Sequence, residues 1–492
     1  MKAKFINFIF VLSVVALLPS CDDYLALEPI STNSTANAYL TASDAEAALT
    51  GAYDSFSSEF YIWDNVIFND VISDNYYAGG DNAEIFAVED LTLTPVNSRL
   101  WNNWSNLYNG ILKANTVLDK IPGITDIQLT ETRRSQILGE ASFLRGYHYY
   151  QLVKMWGGVP LITKPVSSTS PSETQIAASS EAEVYAQIIA DLEFAVANLP
   201  DTYSDSPDVN KARATKGAAN AMLAKVYAQK SDRDYAKVIQ YANAVISSPA
   251  GYTLLAKYSD LWDGAHYNNA ESIMEVQFLG GTEGNWGPGL LLPPSITGDT
   301  WRKFVTPSHD LINAFDAEGD TQRKEASIMF EKAPWADEFW SKTVNGPVPF
   351  AYKWKSSASY ASTNRQYIVR LADIILLKAE AMAATGDISG AKTALNLVRH
   401  RAGLGDTPAA DAAQLKTAIL NERRLELAQE AQRWDDLRRN GVAVDVMNNL
   451  VEINIITEQQ KVYNMTKEKQ LLPIPQSERN RNPNLDQNLG YN

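Results

Sequence analysis

Hydrophobic positions recur at helical spacing through most of this chain. Thr41 or Ser43 can cap a helix whose Ala45, Ala48, Leu49, Ala52 and Tyr53 fall on one face. From Trp101 to Leu118, a stripe of Trp104, Leu107, Tyr108, Ile111, Ala114 and Leu118 predicts a second helix that ends before Pro122. A third is expected over Glu131 to Met155, stopping at Gly157-Gly158, and a fourth over Glu181 to Leu199, closed by Pro200.

Two further segments form a repeat. Helices predicted over Lys211 to Gln229 and Asp234 to Ile246 are joined by a short polar connection, which suits an antiparallel pair. Leu371 to Ala402 repeats the pattern at an offset of 155 residues, aligning Ala224 with Ala379, Ala228 with Ala383, Asp232 with Asp387, Ala236 with Ala391 and Lys237 with Lys392. Alanine where two helices cross closely, with an acidic turn between, is the pattern of tetratricopeptide-type (TPR) pairs, although two Ala-rich helices also match by chance.

Between the repeats, periodicity fades. Over 251–366 the Gly, Pro, Ser and aromatic content rises, and only Ser272 to Leu279 and Phe350 to Lys355 read as strands. Long irregular insertions in a rigid helical frame are where ligand sites sit. The expected organisation is a leader at 1–20, an anchor and tether at 21–40, a helical scaffold at 41–250 and 367–440, an irregular insertion at 251–366, and a C-terminal segment at 441–492 packed on the scaffold. The fold class is mainly α, a TPR-like superhelix with a partly β, loop-rich region carrying the ligand site.

The leader changes the picture of where the protein works. Lys2 and Lys4 precede an apolar run from Phe5 to Leu18, followed by Pro19, Ser20 and Cys21, which reads as a cleavable export signal. Cys21 is the single cysteine, so no intramolecular disulfide forms, and Leu18-Pro19-Ser20-Cys21 resembles a bacterial lipobox whose cysteine takes a lipid anchor. The net charge of −15 repels phosphate backbones, and no basic stripe offsets it, so nucleic acid is not expected as a partner.

Catalytic motifs are absent: there is no G-x-S-x-G elbow, no Walker loop and no G-x-G-x-x-G after a strand. The four histidines, His148, His266, His309 and His400, show no metal-ligand spacing and read as packing or surface residues. No catalytic residue, metal or cofactor is therefore expected. A carboxylate pair for glycoside hydrolysis leaves no fixed sequence trace and stays open as an alternative. The charged run Glu422, Arg423, Arg424, Glu426, Glu430 and Arg433 reads as structural, with opposite charges bridging along one helix.

The aromatic residues are the better lead. Sugars present flat C–H faces ringed by hydroxyls, so a sugar site needs an aromatic platform with Asn, Asp or Arg beside it. Two stretches supply that mixture: Asn69 to Tyr77 leading to Trp101-Asn102-Asn103, and Asn285-Trp286 leading to Trp301-Arg302. The candidate glycan-binding residues are Asp70, Tyr76, Trp101, Asn102, Trp286 and Trp301, with Trp101 and Trp286 as stacking platforms and Asp70 and Asn102 as hydroxyl partners. Trp104, in the helical stripe, belongs to the core.

Four blocks carry a family resemblance. Leu144-Arg145-Gly146-Tyr147-His148-Tyr149-Tyr150 continues to Trp156-Gly157-Gly158-Val159-Pro160; Arg370-Leu371-Ala372-Asp373 continues to Arg399-His400-Arg401-Ala402-Gly403. Glu422-Arg423-Arg424 runs through Arg433-Trp434, and Leu472-Pro473-Ile474-Pro475 leads to Asn488-Leu489-Gly490-Tyr491, with Leu489 where a proline is common. In this order, behind Cys21, they resemble the SusD/RagB family. The resemblance implies a TPR-like scaffold, a lipid anchor in the outer membrane of a Bacteroidetes-type cell, and surface exposure. It also implies capture of an oligosaccharide or polysaccharide and its delivery to a SusC-like TonB-dependent transporter, without catalysis. A receptor for peptide or another nutrient is the alternative. The matched blocks are framework, so no ligand-binding residue follows from them.

Overall fold

A computed structural model describes residues 38–491. The export signal, Cys21 and the tether up to residue 37 lie outside the described residues. The first four long helices each start where a side chain satisfies free N–H groups. α1 (Ala42–Tyr53) opens on Thr41, whose hydroxyl accepts from Asp44 N–H while the Asp44 carboxylate accepts from the Thr41 N–H. Asn97 caps α2 (Ser98–Lys120), Thr130 caps α3 (Glu131–Trp156), and Ser180 with Glu183 forms a capping box on α4 (Glu181–Asn198). α3 stops at Gly157, whose φ of 75° lets the chain turn away.

The predicted faces are the buried ones. Leu100, Trp104, Leu107, Ile111, Ala114 and Val117 of α2 pack into the core against α3, which in turn packs on α4. Truncating a buried leucine such as Leu107 to alanine costs about 2–5 kcal/mol. The stack continues through α5 (Lys216–Gln229) and α6 (Tyr235–Ile246) to α7 (Leu371–Ala384), α8 (Ile388–Arg401) and α9 (Ala412–Leu427), each helix lying against the last. Successive antiparallel pairs of this kind are a TPR-like superhelix, and the fold is mainly α. Among the described residues, no helix is long and apolar enough to cross a membrane.

The internal repeat holds in its first helix and slips in its second. α5 and α7 align at the predicted offset, with Ala224, Ala228, Ala379 and Ala383 all buried. The connector Lys230–Asp234 is two residues longer than Thr385–Asp387, so Val238, Tyr241, Ala242 and Val245 stand where Ala391, Ala394, Leu395 and Val398 stand. The cap equivalent to Asp387 is therefore Asp234, not Asp232, and Ala236 is exposed while Ala391 is buried. α5 also starts at Lys216 rather than Lys211, because Arg213 is extended and Thr215 provides the cap; Pro207–Ala212 forms a turn of its own.

Four short antiparallel ribbons complete the described structure, three of them with a strand in the irregular region. β1 (Tyr76–Ala78) pairs with β3 (Val305–Pro307), β2 (Ser272–Val276) with β6 (Gln366–Arg370), β4 (Ile328–Lys332) with β5 (Pro347–Ala351), and β7 (Glu452–Asn454) with β8 (Gln459–Lys461). Pairing Ser272 with Arg370 brings both ends of the intervening segment together at the start of α7. Everything between emerges from one place on the scaffold.

Buried charge locks this junction. Arg370 donates to Glu271, Glu426 and Glu430; Arg401 to Glu271 and Glu426; and Arg323 to Glu426, with Asp320 and Glu422 alongside it. The expectation of bridges along a single helix is corrected. α9 ends at Leu427, left-handed Gln429 and Ala431 separate it from α10 (Arg433–Arg439), Glu430 reaches Arg370 and Lys353, and Arg433 reaches Asp74.

Candidate functional site

The insertion meets the N-terminal end of α2 through a chain of aromatic rings. Trp63 lies in a buried π-helical segment, with the Arg99 guanidinium carbon 4.7 Å from its ring centroid. Trp286 crosses Trp63 at 6.2 Å and 66°, Phe304 lies 5.5 Å from Trp63, and Trp301 lies 5.6 Å from Phe304. Trp286, Trp301 and Phe304 are half-buried, so part of each ring faces solvent. Edge and tilted contacts at these spacings fix ring orientation and are worth about 0.5–1.5 kcal/mol each beyond burial.

Tyr360 extends the row. Its ring lies over Gly289, where an added Cβ would come within 2.4 Å of it, and its hydroxyl donates to Asp299 at 3.5 Å. The loop presenting it carries three successive non-glycine residues with positive φ, Ala358 (43°), Ser359 (53°) and Tyr360 (68°). Such a run persists only where the surroundings over-determine it. Lys303 supplies a fixed charge below: Nζ binds both Asp299 oxygens, at 2.7 and 2.8 Å, and lies 3.7 Å from the Trp301 ring centroid.

Polar groups border the ridge on the α2 side. Arg99 donates to Asp64 at 2.5 Å and to Glu59 at 3.4 Å, and Glu59 also accepts from Trp63 Nε1 at 3.2 Å. Burial raises the Asp64 carboxyl to about 7 against the pull of Arg99. Beyond Trp286 opens a cleft of about 590 Å³, walled by Tyr53, Asp54 and Phe56 on one side and Met274 to Phe278 on the other. Glu275 borders it, its carboxyl raised to about 7 by burial, with Arg365 opposing.

The structure sorts the expected site residues. Trp286 and Trp301 belong to one ridge. Trp101 does not: its Nε1 donates to Glu478 at 3.0 Å beside Arg481, next to a second cleft of about 550 Å³ between α2 and the C-terminal segment. Asn102, the next residue on α2, is half-buried and likewise absent from the ridge.

Asp70, expected as a hydroxyl partner, and Tyr76, expected among the glycan-binding residues, are buried instead, at 0% and 1% exposed. Asp70 accepts from Ala431 N–H at 2.8 Å inside the charged junction, and Tyr76 sits in β1. Trp63, Arg99, Phe304 and Tyr360 were not foreseen. Trp63 lies in an apolar run that reads as core, whereas Tyr360, a lone aromatic among serines and alanines, was the one signal available.

The histidines are structural or surface groups with one qualification. His148 is fully buried between Ser55 and Tyr61, and burial lowers it to about 3. His309 stacks on Trp340 at 3.7 Å. Asp260, Asp263 and His266, however, place one ligand atom each within 4.8 Å of one another and, among the described residues, are the group that could hold a cation. Asp263 is already engaged by the His266 ring at 2.7 Å and by the Ala265 and His266 N–H groups.

Similarity to known proteins agrees with this architecture. Residues 23–228 match the family model described as starch-binding associating with outer membrane, and residues 338–491 match the SusD family model. SusD-like proteins P2 and P38 of Formosa agariphila are 28% and 27% identical, each over the full length of both chains. A solved laminarin-binding SusD-like protein superposes with a TM-score of 0.76 at 30% identity, covering 92% of this chain and 100% of its own. The chain belongs to the SusD/RagB family.

Proposed function

We propose that this protein captures a glycan on the ridge formed by Trp286, Trp301 and Tyr360 and passes it to a SusC-like TonB-dependent transporter, held at the cell surface by a lipid on Cys21. No bond is made or broken in this reading. Residues 41–250 and 367–440 act as scaffold, and 251–366 carries the ligand.

The observation that carries it is the row of half-exposed rings, braced by Trp63 and Phe304, with Glu59, Arg99 and Asp299 at its margins. Stacking on sugar C–H faces supplies apolar burial, and the flanking charged groups accept or donate to hydroxyls. The laminarin-binding relative and the starch-binding description of the matched family model support a neutral glucan as the first ligand to try.

The test is affinity electrophoresis against laminarin, starch and a wider polysaccharide panel, with reducing ends assayed in parallel. Retardation that Trp286→Ala and Trp301→Ala abolish supports the reading. New reducing ends, or retention of peptides and of no glycan, would overturn it. Co-purification of the transporter with the anchored protein, lost in Cys21→Ser through release from the membrane, tests delivery.

A further inference from the structure

Away from the ridge, a cleft of about 660 Å³ opens between the 256–259 loop, residues 322–326, Lys355 and the end of α8. Its lining is unusual for a chain with an excess of acids. Lys257, Lys355, His400 and Arg401 contribute to it from three separate segments, Ser259 and Gln322 add neutral donors, and Glu325 is the one carboxylate residue on its wall.

Lys355 is the central feature. Its Nζ donates to the carbonyls of Ala326 at 2.8 Å and Tyr352 at 2.7 Å and lies 3.4 Å from the Tyr352 ring centroid. Among the described residues no carboxylate pairs with it, whereas Lys353, two residues earlier, holds Glu430 at 2.6 Å. The Lys355 bonds go to neutral carbonyls and an aromatic face, so its charge is not neutralised by an acid and is left for an anion to meet. Burial and the neighbouring Lys353 lower Lys355 to about 7, and Asp263 opposes them.

Arg401 lines the same cleft, its charge already met. Its terminal nitrogens bind Glu271 and Glu426, but the buried Nε has no partner.

We propose that this cleft binds an oxyanion carried on a saccharide, either the carboxylate of a uronate or a sulfate ester. Lys355 would meet the charge, with Lys257, Ser259 and Gln322 around it. The carrier rests on the glycan-binding reading; the oxyanion contacts do not. Charge-assisted bonds to a half-buried ammonium are stronger than bonds to neutral hydroxyls, so the charge would dominate recognition.

Calorimetric titration of the protein with glucuronate, glucose 6-sulfate and neutral glucose tests the idea. Binding of either acid with no binding of glucose is expected, and which acid binds identifies the oxyanion. Lys355→Met should weaken it about tenfold, equivalent to one charge-assisted bond, while leaving retardation by neutral glycans unchanged. If Lys355→Met does not fold, Lys257→Met on the exposed rim should weaken binding severalfold. No binding of either acid, or undiminished binding in the folded lysine variants, would overturn the proposal. Loss of acid binding in Trp286→Ala would place the acid on the ridge and also overturn it. Failure of neutral glycans to bind anywhere would instead count against the ridge, leaving the oxyanion result to stand alone.

Discussion

Arg433 grips Asp74 with two parallel N–H bonds of 2.7 Å, joining residues 359 apart in sequence. Arg424 approaches the same carboxylate at 3.2 Å. Burial would raise the Asp74 carboxyl, but the two guanidiniums outweigh it and hold it at about 2. An unfolded aspartate titrates near 4, so this pair stabilises the fold fully above about pH 4 and loses that effect as pH falls towards 2. Asp74→Asn should cost roughly 2 kcal/mol at pH 7 and progressively less below pH 4. Urea unfolding at pH 7 and pH 3 would measure this. An equal gap between variant and native protein at both values would refute it.

The same neighbourhood explains why part of the site was illegible in the sequence. Asn, Asp and Tyr clustered from Asn69 to Tyr77 suit a sugar site and suit a buried polar junction equally well. Composition does not distinguish them, because the arginines that claim Asp74 lie in α9 and α10. The helices were legible because burial imposes a period: the α2 stripe and its end before Pro122 follow from local sequence. The second half of the repeat was misaligned because connector length carries no periodicity. Trp286 and Trp301 were legible as aromatics in loops, whereas Trp63 supports the ridge from inside a run indistinguishable from core.

Asp70 titrates in the opposite sense from Asp74. Burial raises it to about 7, with Ala431 N–H and Asn75 opposing. Between about pH 4 and 7 the folded state holds a proton that the unfolded chain releases, so stability falls as pH rises through this window. In Asp70→Asn the side-chain amide would still accept from Ala431 N–H through its carbonyl but carries no charge. Relative to the native protein, this variant should therefore gain stability from pH 5 to 7 and level off above that. Melting curves that stay parallel across that range would exclude the assignment.

Glu426 is surrounded by three guanidiniums, those of Arg323, Arg370 and Arg401, and they hold its carboxylate ionised well below the usual range despite complete burial. Glu426→Gln removes the charge and keeps the shape. Stranding buried cations in this way costs about 3–5 kcal/mol, far more than replacing an exposed acid. The junction joins β6, α8 and α9, so the loss should register as lower stability of the whole chain in denaturant unfolding. A change below about 1 kcal/mol, the range of exposed pairs, would show that the network is not a stabilising unit.

Gly289 has no side chain where the Tyr360 ring lies, and this gives the most direct link between packing and binding. A methyl group there would sit 2.4 Å from a ring carbon, and Tyr360 is 41% exposed, so the tyrosine should swing away while the scaffold stays in place. Gly289→Ala should then weaken glycan binding up to about tenfold, the worth of one aromatic contact, with little change in melting temperature. Tyr360→Ala should produce a similar loss. Because both act through the same ring, combining them should add almost nothing further. Affinity measured for the two single variants and the double variant gives the coupling. Additive losses would mean that Gly289 serves something other than the seat of Tyr360, and an unchanged affinity in Tyr360→Ala would remove that residue from the ridge.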